Sequence, residues 1–167
     1  MSEKRFQGIY PARVEDIFDA NNTGRIKVSV ADVGGSALLS WADPCLPVTG
    51  NNMGMFTVPP VGSGVWVQFV RGDSNYPVWL GGRFAVGEPP SLAALGKRGL
   101  NGIALQAKSG NGLVISDAPG GGILLQTAGG AKIELTDSGI TITTGQGATL
   151  KLTGATVDIN NSALTID

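Results

Sequence analysis

The chain has 167 residues, 42% of them apolar, and its 12 basic and 13 acidic residues leave a net charge of -1. Such a balance, without a basic cluster, argues against a nucleic-acid surface. The chain has no histidine, which excludes histidine-based catalysis and histidine metal sites. It has one cysteine, Cys45, so an internal disulfide is also excluded. We expect Cys45 to be a small buried side chain. No membrane-length apolar run or signal peptide is recognised, so we expect assembly in the cytoplasm.

The first 85 residues predict a small all-β barrel. Residues 25–30 alternate polar and apolar side chains, which places Ile26, Val28 and Val30 on one buried face. A turn rich in Asp, Asn and Gly precedes them. Further strands are predicted at 8–18, 37–48, 65–70 and 77–84, with a short excursion at 53–58. Five or six short strands without a helical period favour a barrel.

Composition changes near residue 85, which we take as a domain boundary. All ten aromatic residues lie between Phe6 and Phe84, and eight of the nine prolines precede Ser91. Large rings fill a wide barrel core, whereas a slender domain has room only for aliphatic side chains. Residues 1–85 are therefore predicted as the barrel, 86–100 as a linker with one helical turn at 92–95, and 101–167 as a shaft.

The shaft repeats one pattern eight times: an apolar residue, any residue, then a second apolar residue, at steps of seven or ten residues. Side chains two apart on a strand share a face, so each pair predicts a short strand with one apolar side. The predicted inward residues are Ile103, Leu105, Leu113, Ile115, Ile123, Leu125, Ile133, Leu135, Ile140, Ile142, Leu150, Leu152, Val157, Ile159, Leu164 and Ile166.

Eight strands in one chain would close fewer than three rungs of a single-chain β-helix, which is marginal for a repeat protein. Three chains that each supply one strand per layer would instead give about eight layers and a prism on the order of 40 Å long. An antiparallel meander is the alternative.

The residue inside each pair is apolar in the first three strands, at Ala104, Val114 and Leu124, and polar thereafter. We therefore expect the base of the shaft to be covered, by the barrel or linker, and the rest of its outer face to be wetted.

Five segments of the barrel resemble one family in order and spacing. They are Gly24-Arg25-Ile26-Lys27-Val28, Trp41-Ala42, Pro59 to Val67, Phe69 with Gly72-Asp73, and Pro77-Val78-Trp79-Leu80-Gly81. They are similar to the OB-fold domain of the baseplate assembly protein V family, the central spikes of contractile phage tails, and of the related VgrG proteins of injection systems. The resemblance implies an OB-fold barrel followed by an intertwined, homotrimeric, triple-stranded β-helix.

The same resemblance implies a function. Such a spike links the hub and tube of a baseplate to a tip, and it transmits the force of contraction to puncture a target envelope. Phage spikes of this type often end in an apex that binds iron through a His-x-His pair, which this sequence lacks. We therefore expect a separate PAAR-type tip protein at the C-terminal end and a separate hub protein at the OB end, with no cofactor or metal.

Other function classes find little support in the sequence. A carboxylate pair for glycoside cleavage is conceivable among Glu15, Asp16, Asp19, Asp32 and Asp43, but Asp16, Asp19 and Asp43 lie where turns are predicted. The glycine-rich segments lack the Gly-Lys-Ser/Thr of a phosphate loop. We expect packing roles for the three tryptophans, with Trp66 a candidate trimer contact. The alternative function is a trimeric tail-fibre segment that binds or cleaves surface carbohydrate, and we expect no enzymatic activity.

Overall fold

The computed structural model describes residues 5–34, 38–94 and 102–166, which fall into two compact units, Met1–Glu88 and Pro89–Asp167. Nearly all regular structure is β. In the described residues no helix is long and apolar enough to cross a membrane. The all-β class is confirmed, and the order of a barrel followed by a strand-rich domain is consistent with an OB-fold followed by a β-helix.

The first unit is a closed five-stranded barrel. Its strands are β1 (Ile9–Asp16), β2 (Ile26–Ser29), β3 (Leu38–Pro44), β6 (Gly64–Phe69) and β7 (Pro77–Arg83), and a two-stranded hairpin, β4 (Thr49–Gly50) and β5 (Met53–Gly54), follows β3. The hydrogen-bonded order around the barrel is β1-β2-β3-β7-β6. All neighbours are antiparallel except β3 and β7, which are parallel. A four-residue helix, α1 (Ala31–Gly34), follows β2.

The barrel core comes from the alternation seen in the sequence. Ile26, Val28 and Val30 are fully buried, as predicted, together with Val65 and Val67 of β6. The rest of the core cluster is Ala12, Val14, Ala42, Phe69 and Trp79. Cys45 is exposed, so the prediction of a buried cysteine was wrong. It lies one residue beyond β3, where the chain leaves the barrel wall, and its backbone N–H donates to the carbonyl of Trp79 at 2.9 Å.

The second unit begins with a 3₁₀ turn at Ser91–Ala94 and continues as an eight-stranded sheet. The predicted turn at 92–95 is thus placed one residue earlier, and Leu95 lies outside the described residues. The strands are β8 (Gly102–Gln106), β9 (Gly112–Ser116), β10 (Gly122–Gln126), β11 (Lys132–Thr136), β12 (Gly139–Thr143), β13 (Thr149–Thr153), β14 (Thr156–Ile159) and β15 (Leu164–Ile166).

Strand order in this sheet follows the sequence from β8 to β15, and every neighbouring pair is antiparallel. Within one chain the ladder is therefore the antiparallel meander left open as the alternative. The prediction that each of three chains supplies one strand per layer does not describe the strand pairing inside a single chain. Short turns such as Asp137–Ser138 explain this, because they return each strand directly beside its predecessor.

Candidate assembly surface

The sixteen predicted inward residues form two continuous rows across the eight-stranded sheet. The register pairs Ile103, Ile115, Ile123, Leu135, Ile140, Leu152, Val157 and Ile166 in one row, each opposite the next. The second row contains Leu105, Leu113, Leu125, Ile133, Ile142, Leu150, Ile159 and Leu164. Because side chains alternate across a strand, both rows lie on the same face, which we call the apolar face.

The apolar face is open to solvent in the single chain. Eleven of its side chains are 36% to 54% exposed, from Leu135 at the low end to Ile103 at the high end. Leu113, Leu150, Val157 and Ile159 are partly buried, and the side chain of Ile166 lies outside what the structure describes. A contiguous apolar surface of this extent is rare on a monomer and marks an interaction site.

The opposite face holds the row of middle residues. Ala104, Val114 and Leu124 begin this row, and Glu134, Thr141, Lys151 and Asp158 continue it in register. Glu134 Oε2 pairs with Lys132 Nζ at 2.9 Å. Asp158 accepts bonds from the Ser162 backbone N–H at 3.0 Å and hydroxyl at 2.9 Å, which hold the pKa of that carboxyl below its ordinary value. Polar pairing on this side indicates that it faces water.

The linker turn covers the apolar start of that outer row. Leu92 is 4% exposed and Val114 is 3% exposed, and a Cβ added to Gly112 beside Val114 would overlap Leu92 Cδ1. The side-chain oxygen of Gln106 accepts bonds from the Leu92 N–H at 2.9 Å and the Ser91 hydroxyl at 3.2 Å. The linker turn therefore covers this row at Val114, as expected for the base of the shaft, whereas Ala104 and Leu124 are only partly buried.

Glycines at the strand starts permit close approach between neighbouring strands. Gly122 and Gly139 have φ of 147°, and a Cβ on either would overlap the carbonyl oxygen of Leu135 or Leu152 on the next strand. Side-chain-bearing residues rarely adopt this conformation, and the overlapping atom belongs to backbone, which cannot rotate away. These positions therefore require glycine for the sheet to keep its register.

In the barrel, the turn between β1 and β2 is organised around Asp19. Its carboxylate accepts bonds from the Thr23 N–H and hydroxyl, both at 2.8 Å, and from the Arg25 guanidinium at 2.6 Å. The Arg25 guanidinium holds the pKa of Asp19 far below its ordinary value, and Asp19 in turn raises the pKa of Arg25. The turn role predicted for Asp19 is confirmed, whereas its ion pair with Arg25 was missed.

The other carboxylates considered for catalysis do not converge on one site. Asp16 accepts a bond from the Phe18 N–H at 2.8 Å, which is local turn geometry, and Glu15 accepts the Ser29 hydroxyl at 2.6 Å. Asp32 and Asp43 are exposed. Among the described residues no cluster of three Asp, Glu or Cys side chains has metal-site geometry.

The three tryptophans divide between core and surface. Trp79 is buried, and its indole N–H donates to the Gly24 carbonyl at 3.1 Å, so the packing role predicted for it is confirmed. Trp66 is 39% exposed and stacks with the Arg83 guanidinium at 5.6 Å. Trp41 is half-buried with Lys27 Nζ 5.2 Å from its ring. Those two rings alternate with inward residues on their strands and therefore face outward.

Two family models match the chain, in the order of the two units. The type VI secretion system/phage-baseplate injector OB domain matches residues 10–84, which contain all of the barrel except Ile9. The phage baseplate V C-terminal trimerisation domain matches residues 102–165, which contain the sheet with the apolar face. No curated protein matches the chain. The chain therefore belongs to the phage baseplate V family, as a structural component of a phage or injection-system baseplate whose C-terminal sheet is a trimerisation domain.

Proposed function

We propose that this protein is the central spike of a contractile tail or injection system. Three copies bury their apolar faces against one another and form a homotrimeric shaft, with the predicted sixteen residues as its core. The observation that supports this most is the two unbroken apolar rows, in register over eight strands and exposed in the single chain. An exposed apolar surface of that size marks a site that a partner covers.

The shaft transmits the force of sheath contraction to the target envelope. Antiparallel ladder bonds run perpendicular to the strands, so in this sheet they run along the direction in which the eight strands succeed one another. Axial load therefore passes along stacked strands and along the two rows of Ile, Leu and Val side chains. Burying what remains exposed of one such side chain stabilises the trimer by about 1 kcal/mol.

The partners follow from this role. A hub protein binds at the OB end, a PAAR-type tip protein binds at the C-terminal end, and the trimer is assembled in the cytoplasm into the baseplate. The trimer contacts the target envelope only during puncture. The role is structural rather than enzymatic, and it requires no cofactor.

The rival function is a trimeric tail-fibre segment that binds or cleaves surface carbohydrate. Carbohydrate binding or cleavage would require exposed aromatic rings or a carboxylate pair on the shaft. Residues 102–166 contain no aromatic residue, and of their carboxylates Glu134 is paired with Lys132 and Asp158 is bonded to Ser162. This favours the spike, and binding of the purified trimer to a panel of bacterial surface glycans would favour the fibre instead.

The test is made in particles rather than in the isolated chain. A strain that lacks this protein should yield particles without an assembled baseplate, seen by electron microscopy, and without puncturing activity. Thr141→Asp, on the outer face of β12, should restore both, whereas Ile142→Asp, on the apolar face of the same strand, should restore neither. Complete, active particles in the strain that lacks the protein would contradict the proposed function.

A further inference from the structure

The barrel carries an exposed apolar hairpin that its own core does not use. No charged residue occurs between Asp43 and Arg71, and β4 and β5 lie in that stretch. Val48, Met53, Met55 and Phe56 are 46% to 66% exposed, although all are large and apolar. We call residues 48–56 the apolar hairpin. A cluster without charges resembles the centre of an interface rather than an ordinary solvated loop.

This hairpin is fixed to one side of the barrel. The Phe56 ring lies beside Gly24, at 3.2 Å from the position that a Cβ there would take, and that same position is 3.6 Å from Pro44. Gly24 precedes β2 and Pro44 ends β3. The backbone N–H of Met55 donates to the Val48 carbonyl at 3.0 Å, which closes the hairpin. The hairpin is therefore anchored where β2 begins and β3 ends, next to Trp79 of β7.

A second apolar surface lies on the outer wall of β1, β6 and β7. Trp66 is paired with Pro11 on one side and Gly81 on the other, and Ile9 of β1 is 57% exposed. Apart from Gly81 and its two chain neighbours, no atom of the described residues lies within 4 Å of the position that a Cβ on Gly81 would take. The Arg83 guanidinium stacks on the Trp66 ring. We call this surface the Trp66 face, and beside Gly81 it is open.

The two surfaces are formed by different segments of the barrel. In the closed order β1-β2-β3-β7-β6, strand β6 borders β1 and β7, while β2 and β3 are the two strands that it does not touch. In the single chain the hairpin does not cover the Trp66 face, because the side chains of both surfaces are exposed. Two different exposed apolar surfaces on one copy suit a cyclic, head-to-tail assembly, because each copy then offers one surface and receives the other.

We propose that the three barrels of the homotrimer form a closed head-to-tail ring, in which the apolar hairpin of each copy packs on the Trp66 face of the next. The inference rests on the homotrimer of the proposed function. The trimerisation domain of residues 102–165 tethers three barrels together, and such tethering raises their effective concentration enough for modest surfaces to associate. Methionine side chains on the hairpin suit the indole, since thioether sulfur contacts aromatic rings favourably.

Cross-linking of the full chain tests the ring. In a Cys45→Ser background, Met53→Cys and Gly81→Cys are combined, and the dilute protein is treated with a short bis-maleimide reagent. We expect covalent trimers on a denaturing gel, because three cross-links close around the ring. Either cysteine alone should leave monomers. The control pair, Asp32→Cys with Gly81→Cys, places the first thiol at the other end of β2 and should also leave monomers.

Light scattering of the same samples separates the possible failures. Monomers on the gel from a sample that scatters as three chains would overturn the ring and leave the homotrimer standing. A mass of one chain would overturn the homotrimer and the ring together. Equal cross-linking in the control pair would also overturn the ring. If Met53→Cys does not fold, Thr49→Cys, exposed on β4, takes its place with the same expectations.

Discussion

Asp19 illustrates how one residue orders a loop and makes barrel stability depend on pH. Its folded-state pKa lies below the ordinary value of about 3.9. The stabilisation is therefore present above that pH and is lost as the pH falls toward the folded-state pKa. We expect Asp19→Asn to lower the thermal midpoint of the barrel clearly at pH 7, and the difference from the parent to shrink below about pH 4.

The measurement is thermal unfolding followed by tryptophan fluorescence from pH 7 downward. Asp32→Asn removes the same charge from an exposed site and serves as the control. A difference between Asp19→Asn and the parent that stays constant over the whole range would show that the Arg25 pair does not stabilise the barrel through charge.

Gly139 is a second residue-scale test, because the position excludes a side chain. Gly139→Ala would place a methyl group on the Leu152 carbonyl oxygen in a conformation that alanine rarely adopts. We expect a loss of at least about 1 kcal/mol in the stability of each sheet, measured by chemical denaturation of the full chain. Gly120→Ala is the matched control: its φ is also positive, but its added Cβ would meet nothing within 4 Å. Equal effects would show that the close approach is unimportant.

At the scale of elements, the linker turn is a small cap on the sheet. Leu92→Ala removes a buried side chain beside Val114 and Gly112, and we expect it to cost about 2 kcal/mol. Ser91→Ala removes only the 3.2 Å bond to Gln106 and should cost about 0.5 kcal/mol. Hydrogen exchange at β8 and β9 measures both variants, and unchanged protection in Leu92→Ala would contradict a capping role.

Element prediction succeeded where periodicity alone decides the structure. The period-two pattern placed all eight sheet strands and the buried face of Ile26, Val28 and Val30, because one-sided burial leaves few alternatives. Pairing was harder to predict. The apolar pairs suit winding between chains as well as a meander, and only turns such as Asp137–Ser138 favour the hairpins that the structure contains.

Some contacts could not be predicted from the sequence for a related reason. Asp19 and Arg25 are close in the chain, but their pairing depends on how the intervening turn folds back. The exposure of Cys45 and of the apolar hairpin depends on where β3 leaves the barrel wall, which composition does not record. The absence of charge between Asp43 and Arg71 was the available signal for the hairpin.

At the scale of the whole molecule, the two units differ in whether their apolar side chains are enclosed. The sheet presents an apolar face too large to leave in water, and its outer row changes from apolar to polar away from the linker turn. The barrel is a closed unit whose remaining apolar surfaces lie outside its core. This division explains why the aromatic residues are confined to the barrel while the shaft uses Ile, Leu and Val.

The central claim is that the apolar face holds three chains together, and the mass of the full-length protein in solution tests it most directly. Native mass spectrometry should give three times the 17.1 kDa chain mass for the parent and for Thr141→Asp. Ile142→Asp would bury three carboxylates near one axis and should give single chains. A parent that measures as one chain, or an Ile142→Asp variant that remains a trimer of unchanged thermal stability, would contradict the account.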